Sequence, residues 1–345
     1  MHIIKYSAIL PGIFLMFNLV AEPYKTLEGP ESDVETVVFT PDGDYLYAAG
    51  WDNEIFVYSW PDGELVNQFR AHHSAIYEIQ FSKDGNYFMT SSNDNTARLW
   101  ETGNEEHLHT FSDHSEPVKS AAISPENQYI ITASEDGSIK VYDRDEDFEK
   151  LTSLDLEGEE GNSVTFEPNR GMIVKATTGN IAKMVQPGNF NTVREFTHDD
   201  GVNDVHFIKD GTKIITGSDD QKAKIWDPVD DELLTTLEGH TWRVLSVHLD
   251  EDGEYAVTAS NDGSARLWDA ESGEELEIFE LDRRTVVRSA TLSPDKKHVI
   301  SSAQIREPGQ YGIIVWDSGI SFEEENEENG ESENGEEETA EEEEQ

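Results

Sequence analysis

The sequence predicts an all-β fold: a seven-bladed β-propeller of four-stranded antiparallel blades, the ring closed by the N-terminal strand. Three observations carry that expectation. An aromatic residue recurs at a fixed spacing, each interval holds the same four strand signals, and one extra opening strand stands at the N-terminal end.

The spacing comes first, because an internal repeat decides architecture before any local signal does. Tyr58, Trp100, Tyr142, Trp226 and Trp268 lie 42 residues apart or at a multiple of 42. Met184 fills the one gap, and Trp316 follows after 48. Seven in-phase copies are not chance.

The sixth copy shows the strand signals. Glu232 to Leu237 alternate and end at Glu238-Gly239-His240; Val244 to Leu249 follow, then the turn Asp250-Glu251-Asp252-Gly253. Tyr255 to Ser260 come next, then Asn261-Asp262-Gly263, and Ser264 to Trp268 close the unit. Short alternating or β-branched runs broken by Asp-Gly turns read as antiparallel hairpins. Gly43, Gly85, Gly211 and Gly253 keep the same period, with Asn127 and Asn169 in the intervening slots. Both residue types tolerate a positive φ.

The Gly239-His240 opening and the Trp226-Asp227, Trp268-Asp269 and Trp316-Asp317 endings resemble the WD-repeat family, over roughly residues 22–320. Tyr24-Lys25-Thr26-Leu27-Glu28-Gly29 reads as the opening strand of a unit. The resemblance implies that this strand pairs with the last one, near residues 313–316, and zips the ring shut.

It also implies a buried relay in each blade, from His through a turn Asp and a strand Thr to the aromatic ring. By spacing, the sets are His72, Thr90, Asp94 and Trp100; His114, Thr132, Asp136 and Tyr142; His198, Thr216, Asp220 and Trp226; and His240, Thr258, Asp262 and Trp268. Each histidine recurs once per blade and none converges with another, which favours a structural role over a metal or a general base. Three units depart. The first has Pro30 in the His position but keeps Asp52; the fourth has Leu156 and Thr178 in the His and Asp positions. The seventh is shifted by one residue, lacks the His and carries extra sequence around residues 303–311.

Charge excludes some functions. Against 25 Lys+Arg stand 73 Asp+Glu, a formal net of -48. Nucleic acid and anionic membranes are bound chiefly through Lys and Arg, so neither is an expected partner. Residues 322–345 hold fourteen Glu and no base, and residues 321–345 are expected to be a disordered acidic tail. The body stays strongly acidic without that tail. The absence of cysteine excludes disulfides, thiol catalysis and Cys-ligated metal. Residues 1–21 have one lysine ahead of an apolar run from Ala8 to Ala21, which reads as a signal peptide. Export, periplasmic or secreted, is therefore expected ahead of a cytoplasmic location.

The family resemblance implies binding on the narrower face, built from the loops that carry the relay His and Asp. Asp33, Glu35, Trp51, Tyr77, Asn93, Lys119, Glu135, Asn203, Asp219, Arg243, Asn261 and Arg288 are expected to line it. Trp51 with Tyr77, and Arg243 with Arg288, are the strongest candidates, since aromatic and Arg residues dominate binding hot spots. Packing of Trp51 against a neighbouring blade is the competing role. The insertion near Arg306-Glu307-Pro308-Gly309 is expected to rise on the same face.

Asp143-Arg144-Asp145-Glu146-Asp147 resembles the start of a calcium loop but lacks the sixth-position Gly and the closing Glu. There is no nucleophile elbow, phosphate-binding glycine loop or helical metal-histidine pair. No catalytic residue, metal or cofactor is expected. The function read from the sequence is a non-enzymatic scaffold, monomeric on its own, for protein or peptide partners, basic ones among them. An enzyme working in the central channel and an acidic, cation-responsive surface protein are the alternatives.

Overall fold

The computed structural model describes residues 21, 23–281, 285–304 and 312–320. Among these there are 28 strands and no helix, grouped as seven four-stranded sheets. Six are consecutive antiparallel meanders, blades 1 to 6: residues 34–70, 76–111, 118–155, 161–197, 202–238 and 244–280. Blade 7 takes three strands from the end of the chain, Val286–Leu292, His298–Gln304 and Gly312–Asp317. Its outermost strand is Pro23–Leu27, with Thr26 opposite Ile314 and Leu27 opposite Ile313. The ring closes as the resemblance implied. Of that strand only Leu27 is buried, so one leucine and a ladder of backbone bonds hold the latch. The apolar N-terminal stretch, the Glu-rich tail and the insertion at residues 305–311 lie outside the described residues.

A single sheet has two apolar faces and cannot cover either alone, so the blades cover one another. The buried side chains accordingly form one cluster per blade junction. Trp268 of blade 6 packs on Ile215, Ile225 and Leu237 of blade 5, and Trp226 of blade 5 on Val174 and Phe196 of blade 4. The recurring aromatic thus always faces the preceding blade.

Blade 4 corrects the sequence reading. Its first strand runs Gly161–Phe166, one residue later than the period requires, and the offset persists through the third strand. Val185, opposite Ile173, takes the place that Trp100 takes opposite Phe88. Val185 packs on Ile131 and Val141 of the preceding blade, while Met184 faces blade 5 beside Trp226. A slip of one residue turns every side chain to the other face of a strand. The aromatic slot of blade 4 is therefore Val185 and not Met184. The first turn of this blade is longer as well. Its positive φ falls on Gly171 (62°), whereas Asn127 at 59° fills the slot in blade 3.

The innermost strand of each blade is an edge strand facing the central channel, with one row of backbone groups unpaired. Every one carries a register irregularity near its start, after the first residue in blades 1 to 6 and after the second in blade 7, skipping Glu35, Tyr77, Lys119, Asn162, Asn203, Leu245 and Arg288. Such a bulge re-aims the skipped side chain and blunts the edge against further pairing. Seven bulged residues consequently ring one mouth of the channel.

Candidate functional site

Below the narrow face three of the four relays are built alike. His72 Nδ1–H donates to Asp94 Oδ2 at 3.0 Å, Thr90 Oγ1 lies 2.7 Å from His72 Nε2, and Trp100 Nε1–H donates to Thr90 Oγ1 at 2.9 Å. His198, Asp220, Thr216 and Trp226 repeat this at 2.8, 2.7 and 3.0 Å, and His240, Asp262, Thr258 and Trp268 at 2.9, 2.7 and 2.9 Å. With the Thr hydroxyl donating to Nε2, every polar group in the chain is satisfied by a neutral imidazole. Burial holds His72, His114 and His240 below the usual imidazole range, which fits that neutral form. Burial alone would raise the partner Asp, but its hydrogen bonds together outweigh it, from Ser138, His114 and the Ser115 N–H on Asp136 and from His198 and two backbone N–H groups on Asp220: Asp136 and Asp220 sit at about 2.

In blade 3, His114 reaches Asp136 at 2.8 Å and Thr132 at 2.7 Å, but the buried Tyr142 hydroxyl has no hydrogen-bond partner. Tyr fills the volume of Trp without completing the relay. Blade 1 has no His, and Asp52 Oδ2 accepts only the backbone N–H groups of Glu31 (2.9 Å) and Ser32 (3.1 Å). Blade 4 replaces the relay altogether. Leu156 is buried, and Thr177 Oγ1 donates to Glu159 at 2.6 Å.

Above the relays, the predicted narrow-face residues form three clasps around the channel mouth. Trp51 Nε1–H donates to Glu35 at 2.7 Å and Arg288 approaches Glu35 at 3.6 Å, joining blades 7 and 1. Asp33 accepts a hydrogen bond from Gln304 across the same junction. Lys119 lies 3.8 Å over the Tyr77 ring and 3.3 Å from Glu135, while Tyr77 OH donates to Asn93 at 2.9 Å, joining blades 2 and 3. Arg243 approaches Asp219 at 3.3 Å and Asn203 donates to Asp219 at 2.7 Å, joining blades 5 and 6. Asn261 takes the same turn position in blade 6, its N–H bonded to Arg243 O. Each of the three cations thus already faces a carboxylate.

Trp51 is 50% exposed and Trp242, beside Arg243 on the same face, is 57% exposed. Sequence reasoning missed Trp242. Its position, one residue before Arg243 in the loop entering blade 6, holds Glu116 before blade 3 and Asp200 before blade 5. An aromatic residue standing alone where other units place an acid or a serine, Ser32 and Ser74 among them, was the available signal.

Carboxylates also gather on the opposite face. Asp250, Asp252 and Glu254 converge like a metal site, but all three reach Lys296 Nζ, at 2.9, 2.9 and 2.8 Å. An ammonium already meets their charge. The Asp143–Asp147 stretch forms a turn in which Asp143 Oδ1 accepts the Asp145 N–H at 3.0 Å.

Seven four-stranded blades, a latch made by the first strand and a His–Asp relay under one face define a propeller of the WD type. The family model described as "WD domain, G-beta repeat" matches residues 21–59, 63–101, 105–143, 190–227 and 231–269. The chain belongs to that family. The stretches without a match include the third strand of blade 4 and the last three strands of blade 7, where no His–Asp pair stands among the described residues. No curated protein matches the chain.

Proposed function

We propose that the protein is a non-enzymatic scaffold that holds protein or peptide partners on its narrow face. One observation carries this reading: two tryptophans stand half or more exposed on that face, Trp51 and Trp242, above a rim whose cations are pinned by carboxylates. Large aromatic side chains left in water on a rigid base are what hot spots are made from. Propellers of this family commonly serve as interaction scaffolds, and none of the described clusters assembles a nucleophile, a base and an oxyanion site.

Affinity capture from the native source tests it, comparing the wild type with a Trp51→Ala/Trp242→Ala variant and a Leu65→Ala/Leu108→Ala variant on the outer rim. The reading expects the captured partners to vanish with the first variant and persist with the second. An unchanged set of partners after loss of both tryptophans would remove the narrow face from consideration.

A further inference from the structure

Beneath the mouth the innermost strands enclose a cavity of about 700 Å³, the central channel. Directly below the bulged residues lies a second tier, contributed one residue per blade: Thr36, Glu78, Ser120, Ser163, Asp204, Ser246 and Ser289. The common task of this tier is to satisfy the free edge of the neighbouring strand. Ser120 Oγ accepts the Val164 N–H at 3.0 Å, Ser289 Oγ the Val37 N–H at 3.4 Å, and Asp204 Oδ2 the Val247 N–H at 2.9 Å. A serine suffices for that task, as Ser120 and Ser289 show.

The two carboxyls exceed it. They stand three blades apart, on opposite walls of the channel. Asp204 is engaged by Val205 N–H at 2.8 Å and Ser163 Oγ at 3.2 Å besides Val247. Glu78 has a fully shielded Oε2 with no partner. Among the described residues no cationic group lies within 4 Å of either. Lys119, next above Ser120, is turned to Glu135; Arg288 is turned to Glu35. Blade 1 places Thr36 at the level of Glu78, the second strand of its own blade places Ser91 opposite it, and blade 3 brings the Ser120 hydroxyl and the Ala121 N–H beside its carboxyl. Two tiers further down, His206 and His248 face each other at 4.5 Å, and burial keeps both neutral. His206 Nδ1 accepts the Leu249 N–H at 3.3 Å, which leaves its other nitrogen protonated and unfit to ligate a metal.

We propose that this second tier is a binding site for one alkylammonium group, a free primary amine or a lysine side chain, held among Glu78, Asp204 and the tier hydroxyls. Acceptors surround the space, and a primary ammonium brings three donors and the missing charge. Burial pushes the empty Glu78 up to about 8, with the charge of Asp204 adding to it, against the opposing Ser120 hydroxyl and Ala121 N–H; burial raises Asp204 to about 6. An arriving cation favours the ionised carboxyl, so the Glu78 proton leaves to solvent as the ammonium is seated.

Calorimetry at pH 7 with n-butylammonium, in phosphate and in MOPS, reads both binding and proton release. The wild type is expected to release up to about one proton per amine. Glu78→Ser copies the residue of four other blades, so it should fold; it is expected to bind at least tenfold more weakly and to release no proton. Asp204→Asn keeps the acceptor for Val247 and should also weaken binding. Equal binding by Glu78→Ser, absence of proton release, or equally tight binding of neutral 1-butanol would overturn the proposal. The peptide acetyl-Gly-Lys-Gly-amide distinguishes the two sources: tighter binding than butylammonium assigns the site to a lysine side chain, weaker binding to a free amine. No partner protein enters the experiment, so its outcome is independent of the narrow-face reading.

Discussion

Blade 6 contains the whole relay and blade 4 contains none of it, yet the two sheets are built alike. Each has four antiparallel strands, a bulge after the first residue of the innermost strand and another before the third-strand core residue, Trp268 or Val185. The alternation of buried and exposed residues and the turn residues therefore specify the sheet. The relay does something narrower. It ties the entering loop to the turn between the second and third strands, through Asp262 Oδ2, which accepts both the His240 ring N–H (2.9 Å) and the Thr241 N–H (2.9 Å). Blade 4 leaves that corner to a buried leucine and a Thr–Glu hydrogen bond.

Truncating the slot residue in each blade should break this comparison most visibly. Trp268→Ala removes a fully buried indole and leaves Thr258 without its donor. Large aromatic truncations in a core cost about 3–5 kcal/mol. Val185→Ala removes two buried methyl groups and no hydrogen bond, for a loss of about 1.5 kcal/mol. Urea unfolding of the two variants measures both values. Equal losses would mean that blade 4 depends on its third strand as heavily as blade 6 does.

The same contrast explains what was legible in the sequence. The ring, the blade count, the latch and the relays of blades 2, 5 and 6 follow from period, turn chemistry and residue type. Blade 4 did not, because its one-residue offset is made in an Asp/Glu/Gly loop and cancelled before blade 5. Counting by 42 lands on Met184, and only the pairing of Val185 with Ile173 exposes the slip. The narrow face was legible as positions but not as clasps, since Trp51–Glu35–Arg288 joins residues from both ends of the chain. Glu78 and Asp204 were invisible as a set. Nothing in a linear sequence distinguishes them from the many surface acids until seven edge strands face one channel.

Acid sharpens the comparison at a smaller scale. Asp136 and Asp220, held at about 2 against burial by their hydrogen bonds, those from Ser138 and His114 on the first and from His198 and backbone N–H groups on the second, contribute stability above their unfolded value near 4 and lose it as pH falls towards 2. His72, His114 and His240 are lowered by burial, so the unfolded chain takes up their protons first and stability declines below about 6.5. Both effects run in one direction. The melting temperature should fall from pH 7 to pH 3, and Asp136→Asn should make that fall shallower. An unchanged slope in Asp136→Asn would show that the relay does not carry the acid sensitivity.

Asp52 of blade 1 gives the smallest expected effect and the sharpest contrast. It occupies the relay position without a histidine, and burial raises it despite its two backbone hydrogen bonds. Its sign is therefore reversed: the unfolded chain releases the proton first, so Asp52 costs stability as pH rises through that window. An Asn there can accept the same two N–H groups through its amide oxygen without holding a charge in a half-buried corner. Asp52→Asn should consequently change stability at pH 7 by less than about 0.5 kcal/mol. Asp94→Asn, which weakens a charge-assisted bond from His72, should cost about 1.5–3 kcal/mol. Equal losses in urea for the two variants would mean that the aspartate matters for the turn alone, and that the histidine in blades 2, 3, 5 and 6 adds packing but no polar stabilisation.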